Sequence, residues 1–284
     1  MTKAEQATDP IAYHGEGPVW SSEWGGLRWV DMLAGDVLQL DPGGGISRTH
    51  VGKIAAVVRP RTGGGSIVAL EHGFAVTDGP LTELRPLSDI ISDPGIRLNE
   101  GGCDPDGRFY CGSMAYRDGP GAGSFYRLEV DGTVDVVLDS VTVSNGFDFS
   151  PDRSLAYYVD TPTHRVDIFD YSPEGGLSGR RPWVHTPDGG GGPDGLTVDS
   201  QGYVWVAFYG GSVVRRYAPD GRLDDVVELP ATKVTACTFG GDNLERLYIT
   251  TSREGLEPGE QPEAGSLFTL DTGVPGREPL AYGG

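Results

Sequence analysis

Two carboxylates and two carboxamides open the same kind of local sequence at four places in the chain: Glu16-Gly17, Asn99-Glu100-Gly101, Asn145-Gly146 and Asp194-Gly195. Glycine follows each at once or one residue later, and it permits close backbone approach and unusual φ. Singly, Asn-Gly and Asp-Gly are turn dipeptides. In equivalent places of a repeated unit they read instead as a set of oxygen donors. Such a set, gathered at one point, would repel itself unless a cation sat within it. Hard oxygen ligands with two formal negative charges suit one divalent ion, Ca2+ first, with Mg2+, Mn2+ or Zn2+ as alternatives. The five histidines, His14, His50, His72, His164 and His185, show no ligand spacing. No nucleophile elbow, Walker loop or zinc pattern is found.

The elements that must carry these residues are repeats of an apolar strand, a turn rich in Asp, Pro and Gly, and a second strongly β-prone strand. Asn99 is followed by the turn Asp104-Pro105-Asp106-Gly107 and then Arg108-Phe109-Tyr110-Cys111. Asn145 is followed by Ser150-Pro151-Asp152-Arg153 and Leu155-Ala156-Tyr157-Tyr158-Val159, and Asp194 by Asp199-Ser200-Gln201-Gly202 and Tyr203-Val204-Trp205-Val206-Ala207. Weaker copies begin at Gly17, Ala56 and Thr235. Spacing of about 40–50 residues is that of a four-stranded propeller blade, and six copies fill the chain. A β-sandwich could use similar turns but would not need the six-fold spacing. No sustained 3.6-residue apolar period predicts helix. The expected fold is all-β, a six-bladed β-propeller over residues 14–284, with residues 1–13 a flexible segment outside the ring. The strand near Leu267-Phe268-Thr269-Leu270 is expected to pair with an N-terminal strand, because ring closure removes exposed sheet edges.

The formal net charge of −19 over 284 residues repels polyanions and argues against nucleic acid as a partner. No apolar run of about 18 residues predicts a membrane span, and the first residues lack the apolar core of a secretory signal. Cys103, Cys111 and Cys237 are an odd number and read as free thiols of a cytoplasmic protein, although Cys103 and Cys111 could meet across a hairpin.

Several stretches resemble the gluconolactonase, regucalcin (senescence marker protein) and luciferin-regenerating enzyme family: Gly15-Glu16-Gly17-Pro18, Arg97-Leu98-Asn99-Glu100-Gly101, Ser144-Asn145-Gly146, Tyr158-Val159-Asp160-Thr161-Pro162, Pro193-Asp194-Gly195, Trp205-Val206-Ala207, Cys237-Thr238-Phe239-Gly240-Gly241 and Ala264-Gly265-Ser266-Leu267-Phe268. The resemblance runs from about Gly15 to about Leu270. It implies a metal bound by Glu16, Asn145 and Asp194, with Asn99 beside it. In related phosphotriesterase-like propellers the position of Asn99 ligates calcium directly. It also implies that Asp194 doubles as general base and that Arg97 and Asn99 face the substrate. Glu100 stands where the family usually has Asp, within the same substrate-binding stretch. Arg117 falls where sugar-lactonase members place a glutamate against sugar hydroxyls, a reversal of charge that points to an acidic or non-sugar lactone.

The resulting expectation is a metal-dependent hydrolase that opens a small-molecule lactone. A phosphotriesterase-like or other ester hydrolase on the same metal, and a calcium-binding regulatory protein with little turnover, are the alternatives.

Overall fold

The structure is a computed structural model describing residues 2–117, 119–186 and 189–284 (for Ser88, the backbone only). It is a six-bladed β-propeller. Each Asp-rich turn of the repeats closes on itself: Asp104 Oδ1 accepts from the backbone N–H of Asp106 and Arg108, both at 2.9 Å, and Asp199 Oδ1 does the same for Gln201 and Tyr203. These turns join the first and second strands of a blade, as the repeats predict.

The blades are meandering antiparallel sheets whose first strands line the axis. Blade one runs Gly15–Ser21, Gly26–Asp31, Asp36–Leu40 and Ile46–His50; blade two Val57–Pro60, Ser66–Ala69, Gly73–Thr77 and Arg85–Asp89. Blade three runs Ile96–Cys103, Phe109–Ala115, Gly123–Leu128 and Val134–Val141; blade four Ser144–Phe149, Leu155–Asp160, Arg165–Ser172 and Gly176–His185. Blade five runs Gly192–Val198, Val204–Tyr209, Val213–Tyr217 and Leu223–Glu228, and blade six Val234–Gly240, Arg246–Thr251 and Phe268–Asp271. The inner strands pack in succession, and that of blade six meets that of blade one. Thr235 Oγ1 donates to Gly15 O at 2.6 Å across this seam. Between blades lie apolar layers such as Ile54 to Val58 with Ile67, Val68 and Phe74, all buried.

The N-terminus departs from expectation. Residues 2–13 do not lie outside the ring: Glu5–Gln6 form the outermost strand of blade six, with Glu5 opposite Thr269 and Gln6 opposite Phe268, and Thr2–Lys3 pair in parallel with Leu223–Glu228. The edge of Phe268–Asp271 would otherwise be bare, and two residues suffice to cover it. The expected pairing of that strand with an N-terminal one is present. Thr8 Oγ1 accepts from Leu267 N at 3.0 Å, and Ala12 is 1% exposed. The three cysteines are buried and free. Among the described residues no helix is long and apolar enough to cross a membrane.

Deleting residues 1–8 removes the outer-strand pairing and the Thr8 bond. With net hydrogen bonds worth about 1 kcal/mol each, the midpoint of thermal unfolding should fall by roughly 5–10 °C. A midpoint unchanged by this deletion in scanning calorimetry would show that the short strands add nothing to closure.

Candidate active site

The register of the inner strands explains how four polar side chains reach one place. A β-bulge interrupts pairing between Glu16 and Val19, Leu98 and Gly101, Ser144 and Phe147, and Pro193 and Leu196. Each bulge contains or abuts one of Glu16, Asn99, Asn145 and Asp194, and a bulge re-aims the side chain that sits in it. The glycines therefore serve strand bulges, not turns. They also admit close packing at the axis: a Cβ on Gly146 would lie 2.6 Å from Asp194 O, and one on Gly195 would lie 2.4 Å from the Ala236 Cβ. Blade two pairs without a register shift between its first two strands and supplies none of the four.

Two aspartates hold the chain just ahead of these bulges. The Asp31 carboxylate accepts from the backbone N–H of Tyr13 and His14 at 2.9–3.0 Å, two residues before Glu16. Asp160 Oδ1 accepts from Val143 N at 2.8 Å, two residues before Asn145. Thr161 then ties two blades together, accepting from the Asn145 amide nitrogen at 2.9 Å and donating to Pro193 O at 2.8 Å.

Glu16, Asn99, Asn145 and Asp194 are 3–5% exposed. Asn99 donates from its amide nitrogen to Ser144 O at 2.8 Å, and its Oδ1 accepts from Arg97 Nη1 at 2.7 Å. Thr161 occupies the nitrogen of Asn145, whose oxygen accepts a long bond of 3.5 Å from the Asn99 amide nitrogen, whereas the oxygen of Asn99 is held by a guanidinium at 2.7 Å. Asp194 Oδ1 is buried with no hydrogen-bond partner among the described residues, a costly state for a carboxylate oxygen. Burial, then the nearby Asp194 and Glu100 charges, push the Glu16 carboxyl well above its usual range; burial, then Glu100, do the same for Asp194. Among the described residues no group of three or more His, Cys, Asp and Glu side chains is placed to hold a metal, so an ion here would draw on amide oxygens as well as carboxylates. Its donors would be Glu16, Asn145 and Asp194, and the orphaned Asp194 oxygen fits such an ion.

Arg97 is buried, bonded to Leu98 O at 3.0 Å and Asn99, and its guanidinium lies 5.9 Å from the centre of the Tyr116 ring. Burial lowers its pKa. Glu100 is not beside it: this carboxylate turns into the axial channel and pairs with Arg59 at 3.0 Å. Arg117 is exposed just beyond the strand Phe109–Ala115, and its neighbour Asp118 lies outside the described residues. Sequence reasoning missed the rest of the mouth. His14 is buried, its Nδ1 2.7 Å from Ser252 Oγ, and burial followed by the charges of Arg97 and Lys233 lowers its pKa to about 3. Tyr209 bonds Glu254 at 3.4 Å, and burial, then Glu254, Asp194 and Glu16, raise its phenol. Only the position of His14, two residues before Glu16, could have drawn notice.

The family model described as SMP-30/Gluconolactonase/LRE-like region matches residues 14–253. The chain belongs to this family. It is 37% identical over 277 residues to the 6-deoxy-6-sulfogluconolactonase of Pseudomonas putida, covering 95% of each chain. It is 35% identical over 279 residues to regucalcin of Danio rerio, again covering 95% of each. A solved structure of a calcium-binding protein, regucalcin, from Agrobacterium tumefaciens str. C58 superposes with a TM-score of 0.92 at 27% identity, covering 99% of this chain and 97% of that one.

Changing Glu16→Gln, Asn145→Ala or Asp194→Ala should each weaken Ca2+ binding by about a hundred-fold or more. Thr161→Val, which frees the Asn145 amide and removes the bond to Pro193 O, should weaken it by about ten-fold, within the range of groups that orient ligands. Calorimetric titration checks both, and equal affinity in all four variants would place the ion elsewhere.

Proposed function

We propose that this chain hydrolyses a lactone at the axial mouth, with one divalent cation, Ca2+ before Mg2+, Mn2+ or Zn2+, held by Glu16, Asn145 and Asp194, and Asn99 beside it. The observation that carries the reading is the unpartnered, buried Asp194 oxygen beside Glu16, in a chain whose family includes named lactonases. The chemistry that such an ion would supply when held there is polarisation of the lactone carbonyl and stabilisation of the charge that develops on its oxygen. An all-oxygen donor set favours calcium over zinc, which prefers nitrogen and sulfur.

The chain's own groups do the rest. Asp194 takes a proton from the attacking water as the new C–O bond forms. The ring C–O bond then breaks, and the proton returns to the departing ring oxygen, giving a hydroxy acid. Arg97 and Asn99, locked to each other at 2.7 Å, orient the ring and its substituents at the mouth. Burial of both means that little reorganisation accompanies binding.

A calcium-binding role with little turnover is the second reading, favoured by the structural relative named a calcium-binding protein. Stripping the protein with a chelator and restoring Ca2+ separates the two. A lactonase loses and regains opening of lactones, in preference to aryl esters and phosphotriesters; a binding protein opens none at any calcium level.

The relative from Pseudomonas putida has a sulfo group in its substrate's name, and Arg117 reverses the charge expected of a sugar-lactone site. Acidic lactones should therefore exceed neutral gluconolactone in kcat/KM. A charge-assisted bond of about 1.5–3 kcal/mol corresponds to about ten- to a hundred-fold. Arg117→Glu should shift preference back toward the neutral sugar; an unchanged ratio would leave Arg117 facing solvent.

A further inference from the structure

Arg59 comes from blade two, which supplies no oxygen to the candidate ion site, yet its side chain reaches across the channel to both neighbouring blades. Nη1 donates to Gly17 O at 3.2 Å and to Val58 O at 2.8 Å; Nη2 donates to Gly101 O at 2.7 Å and to Glu100 Oε1 at 3.0 Å. One guanidinium thus grips the residue after Glu16 and the second residue after Asn99. Its side chain is 14% exposed, and that of Glu100 4%.

Glu100 is a third carboxylate beside Glu16 and Asp194, in a channel that Asp148, paired with Arg277, also lines. Its Oε1 is held by Arg59 and by the N–H of Gly101 at 2.9 Å, while Oε2 is buried with no partner among the described residues. That oxygen would lie 3.6 Å from a Cβ placed on Gly17, beside the backbone that carries Glu16. Its charge is felt at both Glu16 and Asp194. Arg97, on the mouth side, bonds Asn99 Oδ1, Leu98 O and Met32 Sδ and, among the described residues, no carboxylate, and Arg59 is bonded to Glu100.

We propose that Arg59 is a built-in counter-cation that sets the strength of the axial ion site through Glu100, and this rests on the cation reading given above. Glu16 and Asp194 carry two negative charges, which one divalent ion balances. Glu100 would make three. Arg59 returns the sum to two without occupying the ligand positions, and its planar fork suits it to a buried carboxylate and flanking carbonyls at once. In a buried, weakly screened channel one uncompensated charge acts strongly on a doubly charged ion. The two single changes should therefore act in opposite directions, and cancel when combined, because the two charges sum at the ion.

The test is calorimetric titration of the full chain with CaCl2 at fixed pH and ionic strength, for the parent, Arg59→Met, Glu100→Gln, the Arg59→Met/Glu100→Gln double variant and Arg59→Lys. Arg59→Met should tighten Ca2+ binding by about ten-fold, and Glu100→Gln should weaken it by about ten-fold. The double variant and Arg59→Lys should each stay within about three-fold of the parent. Should Arg59→Met fail to fold, weakening in Glu100→Gln and its recovery in the double variant still decide the matter. Equal affinities throughout would overturn the proposal. So would weakening in both single variants without recovery in the double, the mark of a brace between strands. A parent that binds no Ca2+ would overturn this proposal and the cation reading together, whereas the other contrary outcomes leave that reading standing.

Discussion

The organisation of this propeller turns on one electrostatic constraint: Glu16 and Asp194, two carboxylates from blades one and five, are buried within reach of each other's charge. Taking such groups out of water costs several kcal/mol apiece unless something compensates them. Hydrogen bonding compensates part, since Glu16 accepts from Gly17 N at 3.0 Å. Asp194 Oδ1 has no such partner among the described residues. Around this point the chain invests in order: bulges aim the side chains, Asp31 and Asp160 hold the backbone before them, and Thr161 locks an amide by its nitrogen.

Closure of the ring serves the same constraint. Glu16 and Asp194 can share an axis only if blade one meets its neighbours on both sides, and blade six, built from both termini, makes that contact. The C-terminal tail adds to it from below, where Arg277 donates to Val198 O, Ser150 O and Asp148 Oδ1 at 3.1–3.3 Å and lines the channel with Leu280. Tyr282, 2% exposed, reaches Glu129 O at 2.9 Å. Blades three, four and five are thus tied from outside their own sheets.

What could be read from residues alone follows from what repeats. The strand-turn-strand units are local and recur six times, three of them strongly, so the blades and their turns were legible, and the four polar residues in register marked the candidate site. The bulges were not. An Asn-Gly pair has the same composition in a turn and in a bulged strand, and only the register of Tyr158 opposite Phe147 and Asp160 opposite Ser144 distinguishes them. Glu5–Gln6 is too short for any periodicity to announce, so the strand was placed outside the ring. Glu100 was assigned to the substrate because of its neighbours Arg97 and Asn99, but its pairing with Arg59 spans 41 residues and two blades, and no local pattern records that. His14, Tyr209, Lys233 and Glu254 come from three blades and meet only in the folded ring.

The central claim is that a divalent ion sits among the axial carboxylates, and diffraction can locate it directly. Crystals grown with Mn2+ in place of Ca2+ and measured near the manganese edge would give an anomalous difference map. The strongest peak is expected on the axis, about 2.0–2.6 Å from oxygens of Glu16, Asn145 and Asp194. Peaks confined to the acidic outer surface, with none between those side chains, would contradict it.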